Sequence, residues 1–218
     1  MSQRILVVLP HPDDEAFGLS GTLAKAIEEG AHVTYACLTL GEMGRNMGVP
    51  PFANRVTLPQ FRRKELEESC LAIGIQDLRL LGFHDKTIEF EDKEKLDGAI
   101  SALIEEIHPT LIMTFYPGYA VHPDHDATGE AVVRVVGRLS AAERPPVLCM
   151  AFSNNTIQDI GEPDVHHDIA GYLEQKVASV LAHRSQFNVP ELQGKDKWKS
   201  KEARERFGIE RFWTYRFD

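Results

Sequence analysis

The sequence is poor in three features that each mark a class of proteins: cysteine, long apolar runs and positive net charge. It has three cysteines, an odd number, and each falls in an apolar segment. This pattern is typical of small buried core residues in a reducing compartment, not of a disulfide framework. The apolar run nearest the N-terminus, Ile5–Leu9, is far too short for a secretory signal or a membrane span. We therefore expect a cytoplasmic protein that has no membrane partner.

The net charge and the length of the chain limit its possible partners and its number of domains. A formal net charge of −9 argues against nucleic acid as the main partner. With 218 residues, of which 43% are hydrophobic, the chain suits one well-cored domain and is short for two. We expect a single domain over residues 1–218, in which the aromatic-rich tail 190–218 packs on the domain or on a neighbouring subunit. We also expect a homo-oligomer.

Short apolar runs alternate along the chain with segments whose apolar residues recur at helical spacing. Strands separated by helices predict an α/β fold with a mainly parallel sheet and helices on both faces. The runs that predict strands are Ile5–Leu9, Val33–Leu40, Leu78–Leu81, Leu111–Phe115 and Val147–Phe152.

Two copies of the tripeptide His-Pro-Asp are the most informative feature of the sequence. His11-Pro12-Asp13-Asp14-Glu15 follows the first predicted strand, and His122-Pro123-Asp124-His125 follows Leu111–Phe115. Each precedes a segment with helical spacing. Ligands of an open parallel sheet bind beyond the carboxyl ends of its strands. One such motif alone would indicate a helix N-terminus, but two in the same context favour a metal site.

The residue types in these motifs fit hydrolytic metal chemistry. If the two strands are neighbours, His11, Asp14 and His125 can converge on one ion, and this is a usual ligand set for catalytic zinc. A bound metal lowers the pKa of water towards about 7, and a carboxylate outside the ligand set must then accept the proton. Asp13 is the candidate for that base. A protonated His122 can stabilise a developing oxyanion, a role worth about 3 kcal/mol.

Two other classes stay open at this point. Two histidines and a carboxylate also form the metal triad of non-haem iron enzymes, so Fe²⁺ is an alternative to Zn²⁺. A non-catalytic metal binder is the third possibility. The long segment Gly41–Pro59, rich in glycine and proline, should lie on the same rim as the motifs, because it follows a strand.

The motifs resemble the LmbE/PIG-L family of zinc-dependent N-acetylglucosaminyl deacetylases. This resemblance implies a Rossmann-like α/β domain that hydrolyses an N-acetyl group on an aminosugar. It rests mainly on Pro10–Glu15 and His122–His125. Weaker similarities follow in the family's order, up to about Phe187: Gly18, Gly21, Thr39–Glu42, Arg62–Glu65, Asp85 and His183–Gln186.

The resemblance also implies a role for each motif residue. By similarity, His11, Asp14 and His125 are the zinc ligands, Asp13 is the general base and then the acid, and His122 stabilises the oxyanion. The assignment of Asp13 as the base and Asp14 as the ligand comes from the family and not from the spacing of the residues.

Within the family, the chain is most similar to the deacetylases of bacillithiol synthesis, whose substrate is N-acetylglucosaminyl malate. Arg62 and Arg45 are candidates to bind the malate carboxylates, because arginine recognises carboxylate through paired donors. Asp85 matches a family position that contacts sugar hydroxyls. Mycothiol-type relatives carry a tyrosine where Ala120 stands here, and Tyr119 is the candidate to take over its transition-state contact. Another N-acetylated sugar or small amide is the alternative substrate.

Overall fold

In the computed structural model, which describes residues 2–190, 192, 194 and 200–217, seven strands form one sheet. The strands are β1 Arg4–Leu9, β2 His32–Cys37, β3 Asp77–Leu80, β4 Leu111–Phe115, β5 Val147–Met150, β6 Val165–Asp168 and β7 Ile209–Thr214. Their order in the sheet is β3-β2-β1-β4-β5-β7-β6. Neighbours among β1 to β5 pair in parallel, whereas β7 pairs antiparallel with both β5 and β6.

The connections between the strands are mostly helical. The helices are α1 Asp14–Gly18, α2 Ser20–Glu28, α3 Leu58–Ile73, α4 Lys93–Ile107, α5 Pro123–Gly137, α6 Thr156–Ile160, α7 Leu173–Ala182 and α8 Lys201–Phe207. Within the described residues, we find no helix with the length and apolar character that crossing a membrane requires.

Helices cover both faces of the sheet, because side chains along each central strand alternate between two apolar clusters. In β1, Ile5, Val7 and Leu9 belong to a buried cluster that includes side chains of α2 and α3. Leu6 and Val8 point to the other face, into a cluster with side chains of α4 and α5. This arrangement confirms the predicted α/β class with a mainly parallel sheet.

Several predicted boundaries differ from the structure. The predicted strands Val33–Leu40 and Val147–Phe152 end at Cys37 and Met150, because the residues that follow form loops at the rim of the sheet. The motif after β1 starts its own short helix, α1, and Leu19 separates it from α2.

The antiparallel edge of the sheet was not predicted. Strand β6 is polar and half exposed, so the sequence lacks the continuous apolar run of a central strand. Strand β7 lies in the segment that we predicted as a packed tail, where its hydrogen bonds to β5 make it part of the sheet. Of that tail, residues 191, 193, 195–199 and 218 lie outside the described residues.

The contact between α5 and β4 depends on a glycine. A Cβ atom built on Gly129 would lie 2.3 Å from the carbonyl oxygen of Phe115, which is far inside van der Waals contact. Because that oxygen belongs to the backbone of a central strand, it cannot move without disturbing the sheet. Gly129 thus sets how closely α5, the helix that carries His125, approaches the strand ends.

We predict that Gly129→Ala destabilises the fold by about 1–3 kcal/mol, the usual effect of overpacking a core. Thermal unfolding should show a Tm lowered by about 2–4 °C for each kcal/mol in a domain of this size. Gly98→Ala in α4 is the matched control, since a Cβ atom there meets nothing within 4 Å. It should stabilise the protein by about 0.5–1 kcal/mol. Equal Tm values for the two variants would contradict this packing argument.

Candidate metal centre

The two His-Pro-Asp motifs meet because β1 and β4 are neighbours in the sheet. Nδ1 of His11 lies 3.3 Å from Nε2 of His125. Asp14 completes the group: its Oδ1 is 3.1 Å from Nε2 of His125, and its Oδ2 is 3.5 Å from Nδ1 of His11. The backbone N–H of His11 donates to the same Oδ2 at 2.8 Å and so orients the carboxylate.

In His11 and His125, one ring nitrogen faces the other histidine and the second points away. The hydrogen bond at the second nitrogen determines whether the facing nitrogen carries a hydrogen or a lone pair. Nδ1 of His125 lies 3.0 Å from the carbonyl oxygen of Ala120, which can only accept, and Nε2 of His11 lies 3.1 Å from Oδ2 of Asp124. In a neutral imidazole, the nitrogen that donates holds the hydrogen and the other holds a lone pair. Two lone pairs and the Asp14 carboxylate therefore face one another, an arrangement that needs a cation between them.

The atoms of this group lie at separations close to those around a divalent ion. Ligand distances of about 2.0–2.1 Å, as for zinc bound by histidine or carboxylate, place ligand atoms roughly 3.3 Å apart. The two imidazole nitrogens are 3.3 Å apart, and Asp14 approaches His125 with Oδ1 at 3.1 Å and His11 with Oδ2 at 3.5 Å. The donor set thus suits a divalent cation.

The electrostatics of the group point the same way. Burial alone would lower the pKa of His11, but the carboxylates of Asp124, Asp14 and Asp85 outweigh it and raise this pKa well above its ordinary value. Burial would raise the pKa of Asp14, yet His125 and His11 lower it overall. The carboxylates therefore attract positive charge to this point, whether a proton or a metal ion supplies it.

Two alternative groupings of ligand atoms exist at the same place. The first group is His11, His122 and His125, and the second is His11, Asp85 and Asp124. In each group, one possible ligand atom per residue lies within 4.8 Å of the others. The two aspartates lie on the Nε2 edge of His11, both at 3.1 Å, away from the nitrogen that faces His125. They also accept backbone N–H groups: Asp124 from residues 86 and 88, and Asp85 from residue 43. Their geometry is that of residues that orient a ligand.

Asp13 lies at the edge of the group in an unusual backbone conformation. Its φ is 97°, in the left-handed region, and its Oδ2 accepts a hydrogen bond from Nη2 of Arg62 at 2.7 Å. Burial raises the pKa of this carboxyl to about 6, while Arg62 opposes the shift and Asp14 adds to it. Asp13 lines the same cleft as the three clustered side chains.

His122 begins α5 as its N-cap, and its Nδ1 accepts the backbone N–H of Asp124 at 3.2 Å. In a neutral ring this leaves the hydrogen on Nε2. Burial, and then the charges of His11 and His125, lower the pKa of His122. We predicted a protonated His122, whereas this geometry favours a neutral imidazole that donates from Nε2.

A cleft of about 470 Å³ opens above the cluster, a size that suits a sugar conjugate. Its apolar lining includes Phe17, Phe152 and Phe187. Its positively charged lining residues include Arg45 and Lys86. Neither of these two cations forms a hydrogen bond through its side chain, or an ion pair, with any residue in the described part of the chain. Both are exposed.

The four residues predicted to contact substrate have different surroundings in the structure. Arg45 lines the cleft, and so does Asp85, although Asp85 is bound to His11. The guanidinium of Arg62 is buried and already donates to Asp13 and to the carbonyl oxygens of Pro12 and Gly41. Tyr119 points elsewhere: it is absent from the cleft lining, and its hydroxyl lies 3.5 Å from Oδ2 of Asp159. Arg62 thus lines the cleft with both terminal guanidinium nitrogens already hydrogen-bonded, and Tyr119 does not line it; the substrate contacts of both residues stay predictions.

Sequence reasoning assigned no role to three residues of this region: Asp124, Lys86 and Glu15. Asp124 was visible as the acidic residue between the two histidines of the second motif, and Glu15 as the last residue of the first. For His183, which stands in one of the weaker similarities, the sequence predicted a structural role or a role in orienting site residues. No local pattern marked Lys86, because only the tertiary structure places it at the cleft.

Comparisons with known proteins agree with this geometry. The sequence model of the PIG-L family, described as GlcNAc-PI de-N-acetylase, matches residues 6–136. A Bacillus cereus protein named "Probable N-acetyl-alpha-D-glucosaminyl L-malate deacetylase 2" is 48% identical over 220 residues, covering 100% of both chains.

Solved structures show the same fold. N,N'-diacetylchitobiose deacetylase from Pyrococcus horikoshii is 25% identical, with a TM-score of 0.69 that covers 99% of this chain and 83% of that one. The Pseudomonas hydratase GalB shares the fold alone, at 15% identity and a TM-score of 0.75 over 99% of this chain and 97% of that one. Because the family model spans more than half of the chain and the Bacillus relative spans all of it, the chain belongs to the PIG-L family of de-N-acetylases, as its two His-Pro-Asp motifs predicted.

Proposed function

We propose that this protein hydrolyses the N-acetyl group of an N-acetylglucosaminyl conjugate with an acidic aglycone, namely N-acetylglucosaminyl malate. The proposal depends on one observation above all, the convergence of His11, Asp14 and His125 at the floor of the cleft. The name of the Bacillus relative supplies the substrate. We propose Zn²⁺ as the ion, because two imidazoles and one carboxylate leave a tetrahedral position open.

His11, Asp14 and His125 would hold the ion through Nδ1, a carboxylate oxygen and Nε2. When bound, such an ion supplies Lewis acidity and lowers the pKa of water. Asp13 takes one proton from the attacking water, whose oxygen adds to the acetyl carbon. Nε2–H of His122 donates to the carbonyl oxygen as negative charge develops on it. Asp13 then gives its proton to the sugar nitrogen as the C–N bond breaks, so the products are acetate and a free amine.

The charge of the cleft supports an acidic aglycone. Arg45 and Lys86 stand exposed at its wall without acidic partners in the described chain, although acidic residues outnumber basic ones 33 to 24. Malate carries two carboxylates, and each cation can pair with one of them. We therefore propose Arg45 and Lys86 as the aglycone contacts, Lys86 taking the place first predicted for Arg62.

The first prediction from the proposed function concerns the ion. The protein should bind one Zn²⁺ per chain, and His11→Ala, Asp14→Asn and His125→Ala should each abolish stoichiometric binding, as measured by elemental analysis after dialysis. His166→Ala is the matched control, because this histidine is exposed in β6, away from the cleft, and should leave the metal content unchanged. If chelated protein regains acetate release with Fe²⁺ and not with Zn²⁺, the ion is iron. Full metal binding by all three variants would refute the ligand set.

The second prediction concerns Asp13. Asp13→Asn should retain the metal but lower kcat by about 10²–10⁴-fold, because the amide cannot accept the proton of water. The measurement is acetate release under saturating substrate, with metal content determined on the same sample. Turnover near the wild-type rate would show that another group is the base.

The third prediction concerns the aglycone. Arg45→Met and Lys86→Met should each raise KM for N-acetylglucosaminyl malate, by roughly 10-fold if one charged hydrogen bond of about 1.5 kcal/mol is lost. The methyl glycoside of N-acetylglucosamine is the matched control substrate, since it has no carboxylate, and its kinetics should not change. An equal effect on both substrates would exclude the aglycone role and leave the deacetylase chemistry intact.

A further inference from the structure

The backbone of Asp13 is held in a conformation that its own side chain disfavours. Its φ of 97° lies in the left-handed region, where Cβ approaches the backbone too closely for most residues. Such a conformation persists only when the surrounding structure imposes it. The question is which groups impose it here.

Two groups hold the peptide unit that precedes Asp13, the one formed by the Pro12 carbonyl and the Asp13 N–H. Its N–H donates to Oε2 of Glu15 at 3.0 Å, and Nη2 of Arg62 donates to the carbonyl oxygen of Pro12 just before it. The same arginine nitrogen binds the Asp13 carboxylate. Glu15 thus secures the backbone of Asp13, while Arg62 secures both its backbone and its side chain.

Glu15 is itself held from a distant part of the chain. Its carboxylate is completely buried and accepts Nε2–H of His183 at 2.7 Å on Oε1. The hydroxyl of Ser69 donates to the same oxygen, and the hydroxyl of Tyr35 lies 3.3 Å from Oε2. His183, at the end of α7, is completely buried as well. Burial favours the neutral imidazole, but the Glu15 carboxylate prevails and raises the pKa of His183.

Glu15 contacts the Asp13 peptide directly, whereas the hydrogen bonds that the side chains of Glu15 and His183 form among the described residues include no ligand atom of His11, Asp14 or His125. Tyr35 is a shared neighbour, since its hydroxyl lies 3.3 Å from Oε2 of Glu15 and 3.2 Å from the backbone carbonyl oxygen of His11. Asp14 is oriented separately, by the N–H of His11. A change at His183 should therefore reach the Asp13 peptide through Glu15 and leave the three ligand atoms in place.

We propose that Glu15 and His183 are positioning residues, which fix the left-handed Asp13 so that its carboxylate points to the attacking water. This inference rests on the proposed function, since it takes Asp13 as the base. The chain of contacts runs from α7 through one buried carboxylate to one peptide N–H. Neither residue touches substrate in this scheme.

The test compares His183→Met, which removes the donor to Glu15, with His183→Gln, whose amide can still donate. His183→Met should lower kcat by about 10- to 100-fold, the usual effect of losing a residue that orients a catalytic group. Metal content and KM should stay at wild-type values, and His183→Gln should recover a large part of kcat. Ser69→Ala, a small change that removes one donor to Glu15, should lower kcat in the same direction and decides the matter if His183→Met does not fold.

Asp97→Asn is the matched control for a purely structural effect. Asp97 is a buried carboxylate that binds Arg134 and Arg138 on the other side of the sheet. It should lower Tm and leave kcat unchanged. The inference is overturned if His183→Met or Ser69→Ala keeps wild-type kcat, if only KM changes, or if metal is lost in parallel with activity. If Asp13→Asn is itself active, the proposed base fails instead, so the two failures are distinguishable.

Discussion

The site depends on hydrogen bonds that bind the outer ring nitrogens of His11 and His125. Each outer nitrogen lies against an oxygen that can only accept, a backbone carbonyl for His125 and aspartate carboxylates for His11. The inner nitrogens are therefore left with lone pairs that face each other and the Asp14 carboxylate. That arrangement attracts positive charge, which a proton or a metal ion can supply. Without these outer hydrogen bonds, the rings could rotate or exchange tautomers, and the cluster would lose its preference for metal.

The sheet makes this arrangement possible. The register of β1 with β4, in which Val7 lies opposite Met113, brings the carboxyl ends of both strands to the same rim. The close approach of α5 at Gly129 then sets the distance from which His122 and His125 reach inward. The fold itself does not specify a reaction, since a hydratase shares it. The chemistry comes from the side chains at the rim.

The region is rich in buried acidic groups, and each has a cationic or imidazole partner. Asp14 faces the histidines, Asp124 and Asp85 orient His11, Asp13 binds Arg62, and Glu15 binds His183. Burying a carboxylate is strongly unfavourable unless charge and hydrogen bonds compensate. This explains why the guanidinium of Arg62 is bound inside the protein, whereas Arg45 and Lys86, the other two cations that line the cleft among the described residues, are exposed.

The sequence alone determined the fold class, the alternation of strands and helices, the two motifs and the family, because each leaves a local signature in spacing and residue type. It also identified His11, Asp13, Asp14, His122 and His125, which line the cleft together, since strand ends of a parallel sheet share one edge. Only the tertiary structure decided the antiparallel edge of β6 and β7, the hydrogen bonds of Arg62 inside the protein, the contact of Tyr119 with Asp159 and the buried contact between His183 and Glu15. These features arise from contacts between residues far apart in the chain, such as His183 and Glu15. Local spacing carries no information about such contacts, because it cannot tell which way a side chain turns or which partner already occupies it.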